Sequence, residues 1–250
     1  MNGSKRYRSA AEISAPGQIG AVKEIFSTIT GEYDFLNHLL SLRRDIAWRK
    51  FAVRKMRFPR TGRLLDIATG TADLAIEAAS HDPSVGVVGI DISREMLCRG
   101  FRKIRRHNLC SRIQLMQADA LHLPFPDHSF DLVSMAFGIR NIPNKTGALR
   151  EMQRVTCPGG QIMILEMTLP RGRWTGKFYS IYLRRILPLL ARPFTKNPAA
   201  YIYLADTISR FPSPDSLARI MESAGLTDVE FYPLSGGITC LHVGKVPNQA

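Results

Sequence analysis

Three residues near the middle of the chain have the types and spacing to grip a nucleoside: Gly70, Asp91 and Asp119. "LLDIATGTAD", residues 64–73, reads as a buried strand, a tight turn at Gly70 and Thr71, and the start of a helix. Such a strand–turn–helix unit turns backbone N–H groups and a helix N-terminus toward a ligand. The dinucleotide fingerprint G-x-G-x-x-G is missing, because Ala68 and Ala72 stand where glycines would be expected. Asp91 lies 91 − 70 = 21 residues beyond Gly70, at the end of the next strand. That spacing suits a carboxylate that accepts from ribose hydroxyls; Asp91 also reads as an N-cap for the helix after "DIS". In "QADALHLPF", Asp119 sits at the end of a third strand. There it can accept from an exocyclic amino group, while Ala120 lets a flat base approach. A nucleoside site without pyrophosphate glycines fits a ligand that carries no phosphate, and S-adenosylmethionine is such a ligand.

These residues need an open parallel sheet to bring them to one rim. From residue 61 to 167 the chain alternates β-rich runs with helical patterns, which predicts an α/β domain with helices on both faces. The strand candidates are "RLLDIA", "GVVGIDI", "IQLMQA", "FDLVSMAF" and "QIMILEM", apolar on both sides as doubly covered parallel strands are. Helices are expected near 73–80, 94–107 and 145–155. A further helix near 214–224, capped by Ser213 or a neighbour and stopped by Gly225, precedes two closing strands, "DVEFYPL" and "ITCLHVGKV". The total is seven strands in a mostly parallel, Rossmann-like sheet. Residues 1–60 read as a helical, basic N-terminal extension, broken at Gly31, that covers the substrate side. Residues 61–250 read as one domain with a basic aromatic insertion at about 168–210 that forms a lid.

The 250 residues suffice for one large core, and 45% hydrophobic with 22% charged residues is ordinary for a globular protein. No run of eighteen apolar residues predicts a transmembrane helix, and "MNGSKRYRSAAEIS" lacks the apolar segment of a signal peptide. Cys98, Cys110, Cys157 and Cys240 show no metal-ligand spacing and the six histidines form no cluster, so no metal is expected and the thiols read as those of a reduced, cytoplasmic protein. The net charge of +13 is concentrated: residues 1–60 hold 12 Lys/Arg against 5 Asp/Glu, and residues 167–205 hold 7 against none. "RGRWTGKFYSIYLRRILPLLARPFTKN" interleaves these cations with Trp174, Phe178, Tyr179, Tyr182 and leucines. The charge alone reads as a solvated basic surface; with the interleaved aromatics, the mixture suits the interface of an anionic membrane, or a lid whose cations stay in water, better than a nucleic-acid backbone. No RNA-binding signature or separate basic domain is present.

"LLDIATGTAD", "GIDIS", "QADALHLPFPDHSFDLV" and "PGGQIMILE" are similar, in order and spacing, to the motifs of class I methyltransferases. "FSTITGEYDFLNHLLSLRRDIAWRK", "FGIRNI" and "YIYLADTISRFP…LARIMESAGLTDVEFYPLSGGITCLHVGK" narrow the resemblance to the quinone-biosynthesis C-methyltransferases, over roughly residues 20–246. The resemblance implies S-adenosylmethionine as cofactor, with Gly70 and Thr71 on it, Asp91 on its ribose and Asp119 with Ala120 on its adenine. It implies that Tyr33, Asp73, Arg140 and Asn141 face a prenylated quinol. The implied acceptor is demethylmenaquinol, with the ubiquinol precursor or another lipophilic phenol as the alternative. Peripheral contact at the inner face of the membrane follows from the greasy tail of such a substrate, while homo-oligomerisation is left open. Ala72 replaces a glycine usual in the turn, Ala136 a serine often found before "FG", and Cys157 a lysine common before "PGG". The first two are expected to weaken or rearrange cofactor binding.

Methylation at ring carbon needs an electron-rich ring, so the reduced quinol is the competent acceptor and a proton must leave its hydroxyl. Arg140 is expected to stabilise the phenolate and orient a water, Asn141 to fix the ring, and Tyr33 to contact it. Asp73 is expected to take the proton through water or to anchor Arg140. Each also has a structural reading: Arg140 in an ion pair, Asn141 as a helix cap, Tyr33 as a core aromatic, Asp73 as a complement to its helix dipole.

Overall fold

A computed structural model describes residues 41–186 and 199–248. Seven strands form one sheet: β1 (Arg63–Ile67), β2 (Gly86–Asp91), β3 (Ile113–Gln117), β4 (Phe130–Ala136), β5 (Thr156–Met167), β6 (Thr227–Leu234) and β7 (Thr239–Lys245). Their order is β3-β2-β1-β4-β5-β7-β6. The first five are parallel, and β7 runs antiparallel between β5 and β6. The order reverses at β1, so the carboxyl ends of β1 and β4 flank a crevice, the place where open α/β sheets hold ligands.

Side chains alternate across the sheet. Leu64, Val87 and Leu132 join one core with α1 (Arg44–Lys55), α2 (Asp73–His81) and α3 (Arg94–Arg106), through Trp48, Ala52, Leu74, Ala78 and Ile104. Leu65, Ile67, Ile90 and Val133 join the other with α4 (Lys145–Val155) and α7 (Pro214–Ser223), through Leu149, Met152, Leu217 and Met221. Two further helices, α5 (Arg173–Ile181) and α6 (Ala199–Ser209), occupy the segment read from sequence as a lid. Of the N-terminal extension, α1 is the described helix; Gly31 and Tyr33 lie outside the described residues, as does 187–198 of the insertion.

Helix starts follow side-chain caps. Ser93 Oγ accepts from the Met96 N–H (3.3 Å) to open α3, and Asn144 Oδ1 accepts from the Gly147 N–H (2.9 Å) to open α4. Ser213 Oγ accepts from the Ser216 N–H (3.3 Å) to open α7, with Pro214 at its first position. These caps settle two alternatives. Asp91 is not the N-cap of α3, and Asn141 is not the cap of α4.

One strand is longer than expected. "QIMILEM" reads as a strand from residue 161, but β5 begins at Thr156 and carries Pro158, Gly159 and Gly160 within it. A register shift between Phe130 and Leu132 absorbs the irregularity. Gly160 is needed there, because a Cβ would lie 2.7 Å from both the Asp131 and Cys157 carbonyl oxygens. Pro and Gly therefore mark a bulge in the strand rather than its boundary.

Candidate active site

The turn after β1 is a strained piece of backbone held from below. Ala68 (φ 53°), Gly70 (φ 57°) and Ala72 (φ 66°) all adopt the left-handed conformation. Glycine does so freely, whereas each alanine costs about 1–2 kcal/mol. Asp66, at the end of β1, compensates. Its Oδ2 accepts from Thr69 Oγ1 (2.7 Å) and its Oδ1 from Ser134 Oγ (2.9 Å), which ties the turn to β1 and β4. Burial pushes the Asp66 carboxyl up to about 6, against the opposing effects of those hydroxyls and the charge of Arg49. Neighbouring glycines make room. A Cβ on Gly89 would meet Thr69 at 3.0 Å, and one on Gly100 would meet the Ala72 Cβ at 3.3 Å. Helix α3 thus packs tightly on the turn.

Asp91 closes the turn from the β2 side. Its Oδ2 accepts from the Gly70 N–H (2.9 Å) and its Oδ1 from the Ser93 N–H (2.8 Å). Burial raises its pKa above the ordinary carboxylate range, opposed by backbone donors from Ser93, Gly70 and Ile92. Both Gly70 and Asp91 line a cleft with an empty volume of about 920 Å³ including its open mouth. Asp119, Ala120 and Asn141 line it too. Asp119 Oδ1 accepts from the Leu121 N–H (2.9 Å), and its side chain remains 38% exposed, so its other oxygen is within reach of a ligand.

The donor set fits an adenosyl group. Two carboxylates meet groups that donate, while Ile92, Met96, Ala118 and Leu121 supply apolar walls for a flat base. Among the described residues no Lys or Arg lines the cleft, so a phosphate would find no cation there. An added Cβ on Gly70 would meet no protein atom within 4 Å, so this residue leaves open room where the backbone borders the cleft.

The remaining sequence candidates fall into two groups. Thr71 and Asp73 stand behind the turn, outside the cleft lining. Lys103 donates to Thr71 Oγ1 (3.1 Å) and pairs with Asp73 Oδ1, while Arg49 Nη2 lies 3.5 Å from Asp73 Oδ2. Asp73 therefore does not anchor Arg140. That partner is Glu166 on β5, a residue with 0% exposure. Arg140 Nη1 donates to Glu166 Oε1 (2.6 Å) and to the Phe137 carbonyl (2.7 Å), and the Arg140 N–H donates to Glu166 Oε2 (3.2 Å). This pair fixes the short helical turn Ile139–Asn141, which sets Asn141 on the cleft wall. Tyr203 from α6 donates its hydroxyl to Asn141 Oδ1 (3.3 Å). Gly138 is obligatory in that turn, since a Cβ would lie 2.7 Å from the Ala68 Cβ.

The sequence reading passed over Asp66, Glu166, Arg49 and Tyr203. For Asp66 and Glu166 a signal existed, because each is a lone carboxylate inside an apolar strand. Arg49 and Tyr203 come from segments distant in sequence, and no local pattern marks them. Ala136 lines the cleft, at the position where a serine hydroxyl is absent. Cys157 is buried, its Sγ 2.9 Å from the His128 carbonyl.

The sheet order and the phosphate-free nucleoside cleft at its carboxyl rim define a class I S-adenosylmethionine-dependent methyltransferase. Solved structures agree on the fold. A SAM-dependent methyltransferase from Aquifex aeolicus superposes with a TM-score of 0.59 at 16% identity, covering 82% of this chain and 92% of that one. A SAM-dependent methyltransferase of Thermotoga maritima, a possible histamine N-methyltransferase, gives 0.62 at 21% identity over 89% and 99%. The sequence is more specific. Residues 15–246 match the model of the ubiE/COQ5 methyltransferase family. The ubiquinone/menaquinone biosynthesis C-methyltransferase UbiE of Geotalea daltonii is 40% identical over 225 residues, 90% of this chain and 95% of that protein. The demethylmenaquinone methyltransferase of Thermus thermophilus is 40% identical over 223 residues, 89% and 100%. The chain belongs to the ubiE/COQ5 methyltransferase family.

Proposed function

We propose that this enzyme methylates a ring carbon of a prenylated quinol, demethylmenaquinol first and the ubiquinol precursor second. The observation that carries the reading is the wall shared by the two halves of the site. Asn141 borders the nucleoside cleft, and its neighbour Arg140 is locked on buried Glu166 one residue away. The relatives named for quinone C-methylation support the same acceptor.

S-adenosylmethionine, when bound, supplies an electrophilic methyl group on a sulfonium. Gly70, Asp91, Asp119 and Ala120 are the residues that would hold it. The chain's own work is positioning and electrostatics. Asn141, held by Tyr203, offers its amide to a ring oxygen. Arg140, buried next to the cleft wall on Glu166 and outside the cleft lining, would act on negative charge at that oxygen through its field. No histidine lines the cleft among the described residues, so the hydroxyl proton leaves through water. Asp73, paired with Lys103 and Arg49 behind the turn, serves the site by fixing the start of α2 rather than by taking the proton. Helices α5 and α6 belong to the segment that would cover the acceptor side and meet the membrane. Phe178 (67% exposed), Ile181 and Ile186 stand in solvent beside exposed Lys177 and Arg185, an arrangement suited to anionic headgroups at about 1 kcal/mol per cation.

Quinones extracted from cells that lack the protein test this reading. Accumulation of a naphthoquinone one methyl group short is expected. An unchanged quinone pool would refute it.

A further inference from the structure

Charge is spread less evenly over the fold than over the sequence. Residues 61–167 hold 12 Lys/Arg against 11 Asp/Glu, yet α3 alone holds six cations against one acid, Glu95. The helix is two-sided. Met96, Leu97, Gly100 and Ile104 are buried, and Lys103 turns to Asp73 behind the cofactor turn. On the outer side Arg94, Cys98, Phe101, Arg102 and Arg105 are exposed. The spacing 94, 98, 101, 105 follows the helical period, so these residues form one stripe. Among the described residues, Arg94, Arg102 and Arg105 form no ion pair.

Helix stability does not ask for this stripe. A cation suits the last turn of a helix, which accounts for Arg105, but Arg94 stands at the positive end of the dipole. Arg102 and Arg106, both exposed, are four residues apart and repel each other. Phe101, 56% exposed, sets an apolar ring among the cations. Local rules broken without a stabilising return mark a function. The combination fits a bilayer surface. Arginines take the headgroup phosphates, and the ring enters the boundary with the acyl chains. A nucleic-acid duplex would use the cations through its backbone and leave the ring in water. Ser93, which caps α3, and Met96 in its first turn line the cleft. A surface docked along the stripe therefore borders the site that takes the acceptor.

We propose that the outer face of α3, centred on Phe101, Arg102 and Arg105, is a docking surface for anionic phospholipid. It lies on the cofactor side of the cleft and is separate from the contact proposed for α5. The inference rests on the membrane reading above, to which it adds a second point of attachment. Two such points, one on each side of the cleft, would hold its mouth against the bilayer, where a single point would leave the molecule free to pivot.

The test is co-sedimentation of the full chain with vesicles of phosphatidylcholine alone and of equal parts phosphatidylcholine and phosphatidylglycerol, with a single-stranded RNA titrated in parallel. Arg102→Gln with Arg105→Gln is expected to weaken binding to the anionic vesicles about thirtyfold, and Arg102→Lys with Arg105→Lys to stay within about twofold of the native chain. Phe101→Ser is expected to weaken it about tenfold. All three keep the methylation of a short-tailed quinol, which shows that they fold. A second readout needs no variant of the stripe's charge. Cys98, exposed on the same face, takes an environment-sensitive fluorophore once the other exposed thiol is removed by Cys110→Ser. Its emission is expected to shift to the blue on the anionic vesicles. Unchanged vesicle binding in the Gln variant, an unshifted emission, or tighter binding of RNA than of the anionic vesicles would overturn the inference. If only Phe178→Ser with Ile186→Ser releases the vesicles, the α5 contact stands and this one fails. If the native chain binds the vesicles through α3 but methylates no quinol, the acceptor reading fails and this inference stands. A native chain that binds no anionic vesicle would refute both contacts.

Discussion

At the scale of single residues, the site is supported by two buried carboxylates with different effects on the fold. Asp66 holds the cofactor turn at the expense of stability. Its carboxyl is raised from 3.8 to about 6, so the folded state retains a proton that the unfolded chain has lost. That contribution is present below pH 3.8 and disappears as pH rises through 6, leaving a cost of about 3 kcal/mol at neutral pH. Asp66→Asn is therefore expected to melt higher than the native protein at pH 7.5, with the gap closing near pH 4, by calorimetry across that range. Cofactor affinity falls in the same variant, because the turn loses an acceptor for Thr69 or Ser134. Glu166 is a different case. Paired with Arg140 it is neutral to the fold, but alone it is an uncompensated buried charge. Arg140→Ala is expected to destabilise by about 3–5 kcal/mol, and Arg140→Ala combined with Glu166→Gln to recover most of it. On the role proposed for Arg140, turnover is expected to stay low in both. Recovery of turnover together with stability would assign Arg140 a structural role only.

At the scale of elements, glycines separate what the fold needs from what the ligand needs. A Cβ at Gly138 collides with Ala68, whereas one at Gly70 meets nothing. Gly138→Ala is expected to damage folding, seen as a lowered melting temperature. Gly70→Ala is expected to cost about 1–2 kcal/mol through its left-handed backbone and to weaken S-adenosylmethionine binding by more than that, seen by calorimetry. Elements were largely legible in the sequence. Apolar runs such as "GVVGIDI" end within a residue of β2, and caps such as Ser213 with Gly225 bound α7 as read. β5 was misjudged because Pro158 and Gly159 normally end a strand, and a bulge is settled by pairing with β4 rather than by local sequence. That Gly70, Asp91, Asp119 and Ala120 meet in one cleft was legible because they sit at fixed strand ends; Thr71, read with them, lies outside the cleft lining. The acceptor side was not, because Glu166, Arg49 and Tyr203 reach Arg140, Asp73 and Asn141 from elements 24 to 62 residues away in the chain.

At the scale of the whole molecule, charge and titration shape how the enzyme meets its substrate. His242, buried on β7 and pushed down to about 4 by burial, stays neutral in the fold. Its contribution is complete above pH 6.5 and is lost as pH falls toward 4, the opposite slope to Asp66. The two offset each other between pH 4 and 6, and Asp66→Asn should expose the acid sensitivity set by His242. No helix among the described residues is long and apolar enough to cross a membrane, and the membrane contact proposed above is tested on exposed apolar residues of α5 and of the turn that follows it. Phe178→Ser together with Ile186→Ser is expected to weaken binding to anionic vesicles by about tenfold or more, with methylation of a short-tailed quinol unchanged. Equal vesicle binding would place the membrane contact elsewhere. The central claim is that a phosphate-free nucleoside cleft delivers a methyl group to the carbon of a reduced ring. The most direct measurement uses S-adenosylmethionine labelled with ¹³C in its methyl group, the purified chain and a short-tailed demethylated naphthoquinol, with the product read by mass spectrometry and NMR. One labelled methyl on ring carbon, formed from the quinol and not from the quinone, is the predicted result; a label on oxygen, or none transferred to either form, would contradict it.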